Sequence, residues 1–364
     1  MLYTVEVQSR RESESSTIII ERGGLDNVAS RLHVSTFSKV VLVVDAGAAG
    51  FAAKITSSCG VSDQQVLELS GGEGCKDLSH LEKLWGFFQR NELDRKGLVI
   101  ALGGGAITDL VGFAAATFMR GVPVSYIPTT LLAQVDASIG GKCAINFGGS
   151  KNIVGNFQLP RVVLIDPDVL SSLPTRELRS GFAEVIKHGA LFDEKFFTAC
   201  TEEPCNTLPP TVLSEIIARS CELKAAIVRE DERELGPRKL LNFGHTLGHA
   251  IESICLKLGA EKRLLHGECV SLGMIGEAYI SLQLGLISKG ELERVETSIA
   301  KAGLPIRLPD PLPIHEVIAA TRSDKKREAS EIKWSLLEGI GRGVYDKIVP
   351  NEVVEKAVHY LSQI

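Results

Sequence analysis

The chain has 364 residues, 44% of them apolar and 23% charged, with a net charge of −5 at pH 7. That length suits two domains of roughly 100–200 residues each, and the composition is that of a globular protein. The acidic balance argues against a nucleic-acid partner, which would need a basic face. The opening stretch, MLYTVEVQSRRESES, has no basic segment followed by an apolar core, so no signal peptide is expected. STIIIERGG, residues 16–24, reads as a strand ahead of the first βα unit. KVVLVVDAGAAG (39–50) and KGLVIALGGGAITDLVGFAAATF (96–118) each read as buried strand, glycine turn and helix. VPVSYIPTT (122–130) and RVVLIDPDVL (161–170) read as further strands. Such alternation implies a parallel sheet flanked by helices. The most membrane-like run, 98–119, is broken by the glycines at 103–105 and by Asp109. A charge at mid-span is costly in lipid, so this is buried soluble structure and no membrane partner is expected.

After LSSLPTRELRSGFAEVIKHGALFD (170–193) the β-runs give way to long amphipathic patterns, as in TVLSEIIARSCELKAAIVRE (211–230) and GELERVETSIAKAGL (290–304). The boundary falls between Leu173 and Pro174. It divides a Rossmann-like α/β nucleotide-binding domain, 1–173, from an all-α domain, 174–364, and a cleft between two domains is the usual place for a site. The eight cysteines include no CxxC pair, which predicts free thiols in a reducing cytoplasm.

Several stretches carry candidate chemistry. In ALGGGAITD a strand ends in glycines and a helix opens, which lets backbone approach a pyrophosphate at a helix N-terminus. LSGGEGCKD adds a second glycine turn bearing Glu73 and Lys76, and Asp45 ends a strand where a ribose would be held. The segment 127–157 mixes Thr129, Thr130, Asp136, Lys142, Asn146, Lys151 and Asn152 with glycines and aliphatics. Lysines at glycine turns suit phosphate or carboxylate anions. GFAEVIKHG puts Glu184, Lys187 and His188 at helical i, i+3, i+4 spacing, which a surface salt bridge also explains. NFGHTLGH sets His245 and His249 on one helical face, and LHGEC adds His266 at a helix start. Glu184, His245, His249 and His266 are thus four candidate ligands. Three of the His₂Glu kind with one open position describe a catalytic zinc, and residue types alone leave open which three.

The ordered motifs GGGAITDLVGF, RGVPVSYIPTTLLAQVDASIGGKCAIN, KNIVGNF, GFAEVIKHG, EDERELGPRKLLNFGHTLGHAIE, HGECVSLGM and SDKK run through most of the chain. Together they resemble the 3-dehydroquinate synthase family of sugar-phosphate cyclases. The resemblance implies an α/β domain followed by a helical one, NAD and one divalent metal (zinc or cobalt), and a homodimer. It implies that Glu184, His245 and His266 hold the metal while His249 faces the substrate. NAD contacts are implied at Asp45, Glu73, Lys76, Gly104, Gly105, Asp109, Thr129, Thr130, Lys142 and Lys151. Substrate contacts are implied at Arg120, Asp136, Lys142, Asn152, Lys187, Lys224, Arg238, Asn242, His249 and Lys325. The implied reaction converts 3-deoxy-D-arabino-heptulosonate 7-phosphate, a small sugar phosphate, into 3-dehydroquinate and phosphate.

Two enzyme classes compete with that expectation. A cyclase making a deoxyinosose or a valiolone shares much of the pattern, but Asn242, His249, Lys325 and the IKHG stretch match the dehydroquinate type. A metal- and NAD-dependent alcohol dehydrogenase needs no cluster of anion-binding cations and leaves Lys224, Arg238 and Lys325 unexplained.

Overall fold

The computed structural model describes residues 1–8, 15–257, 264–308, 313–323 and 332–362; Lys325, expected to contact substrate, lies outside them. The chain forms two compact units, Met1–Leu173 with Pro210–Arg233, and Pro174–Pro209 with Glu234–Ile364.

The strands of the first unit are β1 (Leu2–Gln8), β2 (Ser15–Glu21), β3 (Val40–Asp45), β4 (Val66–Leu69), β5 (Leu98–Gly103), β6 (Val124–Pro128), β7 (Lys142–Phe147), β8 (Ser150–Phe157) and β9 (Val162–Ile165). The helices along the whole chain are α1 (Val28–Arg31), α2 (Ala52–Cys59), α3 (Leu78–Arg90), α4 (Gly105–Thr117), α5 (Thr175–Phe192), α6 (Glu194–Cys200), α7 (Pro210–Glu230), α8 (His245–Lys257), α9 (His266–Gln283), α10 (Lys289–Lys301), α11 (Ile314–Ser323) and α12 (Asn351–Ser362).

In the first unit a seven-stranded sheet runs β1-β2-β9-β6-β5-β3-β4. β1 pairs antiparallel with β2 and the other pairings are parallel. β5, β6 and β9 are buried throughout and β3 nearly so, which is why they read as unbroken aliphatic runs: a parallel sheet is covered on both faces. Leu42, Val44, Ile100, Leu102 and Leu164 share one core cluster with Val28 and Ile55. From β3 the chain steps outward to β4, then back to β5 on the opposite side of β3, so the strand order reverses between β3 and β5. Asp45 ends β3 and Gly103 ends β5. Carboxyl ends at such a reversal form the ligand crevice of open α/β sheets.

Two features depart from the sequence reading here. β7 and β8 form an antiparallel hairpin where no strand is expected. Its turn uses Gly148 and Gly149 at φ 58° and 78°, a left-handed pair that glycine adopts without strain. The helix α7, assigned on sequence to the second domain, groups with the first unit. There Cys221 donates to the Gln134 carbonyl at 3.4 Å and Arg229 to that of Glu6 at 2.5 Å. An amphipathic pattern fixes which face of a helix is buried, not what covers it.

The second unit is helical but not wholly so, because β10 (Lys333–Gly339) and β11 (Arg342–Ile348) form an antiparallel hairpin. At its centre α9 is buried on all sides along residues 269–278, as an all-round apolar helix must be. Helices α5, α8, α10 and α12 pack around it. The closest approaches occur at glycines. A Cβ on Gly273 would lie 1.9 Å from the Gly244 carbonyl oxygen, and one on Gly267 would lie 1.8 Å from that of Ser180. Backbone therefore meets backbone where α9 crosses the start of α8 and the middle of α5. Among the described residues no helix is long and apolar enough to cross a membrane.

Candidate active site

The two glycine contacts converge on a group of imidazoles and a carboxylate. His245 is the first residue of α8 and His266 the first of α9. Glu184 follows Ser180 by one turn of α5. Its Oε1 stands 3.8 Å from His245 Nε2 and 4.0 Å from His266 Nε2. Glu184 is fully buried, and its Oε1 accepts no hydrogen bond among the described residues. Lys187, equally buried, forms an ion pair with it.

Both histidines turn the other ring nitrogen toward an acceptor: His245 Nδ1 lies 3.3 Å from the Phe243 carbonyl oxygen, and His266 Nδ1 lies 3.6 Å from Glu252 Oε2. An acceptor near Nδ1 favours the tautomer in which Nε2 carries the lone pair a metal would use. Four ligands at about 2.1 Å around zinc lie roughly 3.4 Å from one another, so this donor set needs little adjustment to hold a divalent metal. His249 is the exposed member of the group, its ring centroid 5.0 Å from His245 and 5.9 Å from His266. Ligand atoms of His245, His249 and His266 all come within 4.8 Å of one another. The three imidazoles thus form one candidate ligand group, and Glu184 Oε1 faces two of them.

Glu277 and Glu234, both missed on sequence, hold the surroundings of this group. Glu277 on α9 is fully buried and accepts the Gly244 N–H at 2.6 Å and the Leu247 N–H at 3.0 Å. A carboxyl on one helix thus caps the first turn of the helix before it, where backbone N–H groups favour negative charge. Burial pushes this carboxyl up to about 8, held back by those backbone bonds and by Lys187. Glu234, in the left-handed region at φ 60°, accepts from Asn242 Nδ2 at 2.6 Å. Asn242 and the buried Arg238 lie on the turn Pro237–Asn242 that leads into α8.

The first unit gathers a second set. A Cβ on Gly71 would lie 2.3 Å from both Asp45 carboxylate oxygens, and one on Gly103 2.8 Å from Asp45 Cβ. The glycines just after β4 and at the end of β5 thus enclose Asp45, which also accepts the Gly47 N–H at 3.0 Å. Gly104 caps α4 with Thr130 against it, and Thr129 N–H donates to the Gly103 carbonyl at 2.9 Å. Buried Lys76 donates to Asp109 Oδ2 at 2.6 Å and to Asn152 Oδ1 at 2.5 Å, with Glu73 3.9 Å away. Burial raises the Asp109 carboxyl to about 6 even against that ammonium. Asp136 sits on a π-helical turn, Ala133–Ala137, and forms an ion pair with Lys224 of α7. Lys142 and Lys151 are exposed at the starts of β7 and β8. Arg120 is exposed just beyond the far end of α4 from Gly105, so the structure does not bring it to the glycine turn.

Sheet, crevice and donor group together define a class, in which an open parallel-sheet α/β unit with a crevice at its strand ends comes with a helical unit that sets a buried carboxylate beside histidines. Solved structures share the fold. That of 2-deoxy-scyllo-inosose synthase complexed with carbaglucose-6-phosphate, NAD⁺ and Co²⁺ has a TM-score of 0.86 at 24% identity, covering 98% of this chain and 100% of that one. The Streptomyces hygroscopicus 2-epi-5-epi-valiolone synthase with NAD⁺ and Zn²⁺ bound has a TM-score of 0.84 at 26% identity, covering 97% and 98%. The NADH-dependent butanol dehydrogenase A of Thermotoga maritima is more distant, with a TM-score of 0.68 at 15% identity over 95% and 96%.

Family models for the 3-dehydroquinate synthase N-terminal and C-terminal regions match residues 66–180 and 181–327. The 3-dehydroquinate synthase of Nostoc punctiforme is 42% identical over 294 residues, 80% of each chain. That of Gloeobacter violaceus is 39% identical over 355 residues, 96% of this chain and 97% of the other. The chain belongs to the 3-dehydroquinate synthase family.

The buried Glu277 makes a testable contribution to stability. Its folded value of about 8 lies above the ordinary 4.5, so its contribution is fully present below pH 4.5 and is lost as the pH rises through 8. In urea unfolding of the metal-free protein, wild type should lose stability relative to Glu277→Gln between pH 4.5 and 8, with a constant gap outside that window. A gap that does not vary with pH would contradict this.

Proposed function

We propose that this 3-dehydroquinate synthase uses NAD and one divalent metal, zinc or cobalt, and works as a cytoplasmic homodimer. The reading is carried by the buried Glu184 carboxylate, whose Oε1 accepts no hydrogen bond among the described residues and faces Nε2 of both His245 and His266. NAD⁺ with Co²⁺ or Zn²⁺ in the inosose and valiolone synthases supports the same pair here. Eight free cysteines, seven of them buried, suit a reducing compartment.

We assign the metal to Glu184, His245 and His266, and leave the exposed His249 to the substrate. When bound at these residues, a divalent metal would supply Lewis acidity toward the C5 hydroxyl of the heptulosonate phosphate, and NAD would supply reversible hydride acceptance at C5. The chain's own task is to hold a phosphate dianion and a carboxylate in fixed positions while phosphate leaves and the ring closes. Lys142, Lys224, Arg238 and Lys325, with Asn152, Asn242 and His249, supply charge-assisted bonds for that purpose. Asp136 keeps the Lys224 ammonium in place. Lys187, paired with Glu184, orients the reacting hydroxyls. NAD falls to Asp45, Glu73, Lys76, Gly104, Gly105, Asp109, Thr129, Thr130, Lys142 and Lys151, with the pyrophosphate at the N-terminus of α4.

Arg120 has a different geometry. It follows α4, 13 residues long, so roughly 20 Å separates it from the glycine turn at the other end. It and Met119 both adopt left-handed φ, 68° and 51°, a strained conformation costing of order 1–3 kcal/mol per residue. We assign this exposed cation to the phosphate pocket of the partner subunit, which would make each site depend on the dimer.

Two experiments test these assignments. Incubated with the heptulosonate phosphate and a catalytic amount of NAD⁺, the protein should release phosphate over many turnovers with no net rise in NADH absorbance. Stoichiometric NADH would support the dehydrogenase reading. The second test mixes inactive Arg120→Ala and Lys224→Ala proteins under subunit exchange. About half the dimers are then mixed, each with one intact site, so roughly a quarter of wild-type activity should return. No recovery, with exchange verified, would place Arg120 in its own subunit's site.

A further inference from the structure

Asn146 carries no assignment, yet it joins two sets of residues given different tasks. The β7–β8 ladder pairs Ile145 with Val154 and then Phe147 with Ser150, skipping Asn146. Such an irregularity frees a residue to aim its groups elsewhere. The backbone N–H of Asn146 donates to the Lys76 carbonyl at 2.7 Å, and its Nδ2 donates to Glu73 Oε1 at 2.8 Å. Its Oδ1 accepts the backbone N–H of Asn152 at 2.9 Å. Asn152 is held there in the left-handed region at φ 51°, and its own Oδ1 accepts from Lys76 Nζ at 2.5 Å. Asn146, the 73–76 turn and Asn152 therefore form a closed ring of hydrogen bonds, with the Lys76 ammonium shared between Asp109 and Asn152.

We propose that Asn146 is a positioning residue that couples the nucleotide turn to Asn152, so that cofactor and substrate strengthen each other's binding. The proposal rests on the assignment of Glu73, Lys76 and Asp109 to NAD and of Asn152 to the substrate. A nucleotide that engages Glu73 and Lys76 draws the ammonium away from Asn152 Oδ1. Asn146 keeps the Asn152 backbone in its left-handed conformation meanwhile, so the freed amide stays where substrate can use it. Conversely, a substrate that takes the Asn152 amide releases Lys76 to the nucleotide. Coupling of this kind is equal in both directions.

The test uses NADH with the heptulosonate phosphate, a pair that cannot react because the reduced cofactor accepts no hydride. NADH affinity is read from its fluorescence with and without the sugar phosphate. In wild type the sugar phosphate should tighten NADH binding by at least about fivefold; in Asn146→Ala that factor should fall to near one. Asn146→Asp, the same size, still accepts from Asn152 but sets a second carboxylate against Glu73, and should lose both coupling and NADH affinity. A purely structural role would weaken each ligand and leave the factor unchanged. Undiminished coupling in both variants overturns the proposal for Asn146. Failure of wild type to bind NADH or the sugar phosphate overturns instead the site reading beneath it.

Discussion

Where α9 crosses α8 and α5, two glycines remove the side chains that would normally keep helices about 8–10 Å apart. The donor group exists because of those contacts. His245 and His266 open their helices and Glu184 lies one turn from Ser180, so the three donors share the neighbourhood of the points where backbone touches backbone. An alanine at position 267 or 273 would have to push a helix aside by an ångström or more, and donors held for chemistry tolerate displacements of only about half that. Glu277 adds a second tie between the same helices by capping α8 from α9. The packing of the helical unit and the geometry of its reactive groups are thus one property.

Both units bury charge that a purely structural core would avoid. Glu184 with Lys187, Glu277, and Lys76 with Asp109 are all largely removed from water. Buried ion pairs often contribute less than apolar residues of the same volume, so these are costs that function explains. The raised carboxyl of Asp109 shows that the cost is not fully offset, since burial outweighs the ammonium beside it. A nucleotide or metal that engages such groups stabilises the folded chain by the free energy of its binding.

Much of the first unit was legible because β3, β5, β6 and β9 are buried on both faces and read as aliphatic runs ending in turns. The motifs also pointed to the residues that the structure groups: Glu73 with Lys76, Asp109 and Asn152, and Glu184 with the histidines. The β7–β8 hairpin was missed although Gly148 and Gly149 between KCAINF and SKNIVGNF are a recognisable hairpin signal. The β10–β11 hairpin carried a similar signal in its glycines at 339 and 341. The distant partners of Asn146, Glu277 and Glu234 could not have been found that way. The first two act through hydrogen bonds to residues 73 and 33 positions distant, and no local pattern records such a bond. The grouping of α7 with the first unit was hidden for a related reason, since its apolar face would suit either neighbour.

We propose that close helix contact presents Glu184, His245 and His266 as a single metal-binding set, with His249 outside it. X-ray absorption of the zinc-loaded protein tests this directly. Two imidazole nitrogens at about 2.0–2.1 Å, a carboxylate oxygen and one exchangeable light atom are expected, with a spectrum that His249→Ala leaves unchanged. A shell of three imidazoles that loses one in His249→Ala would contradict it.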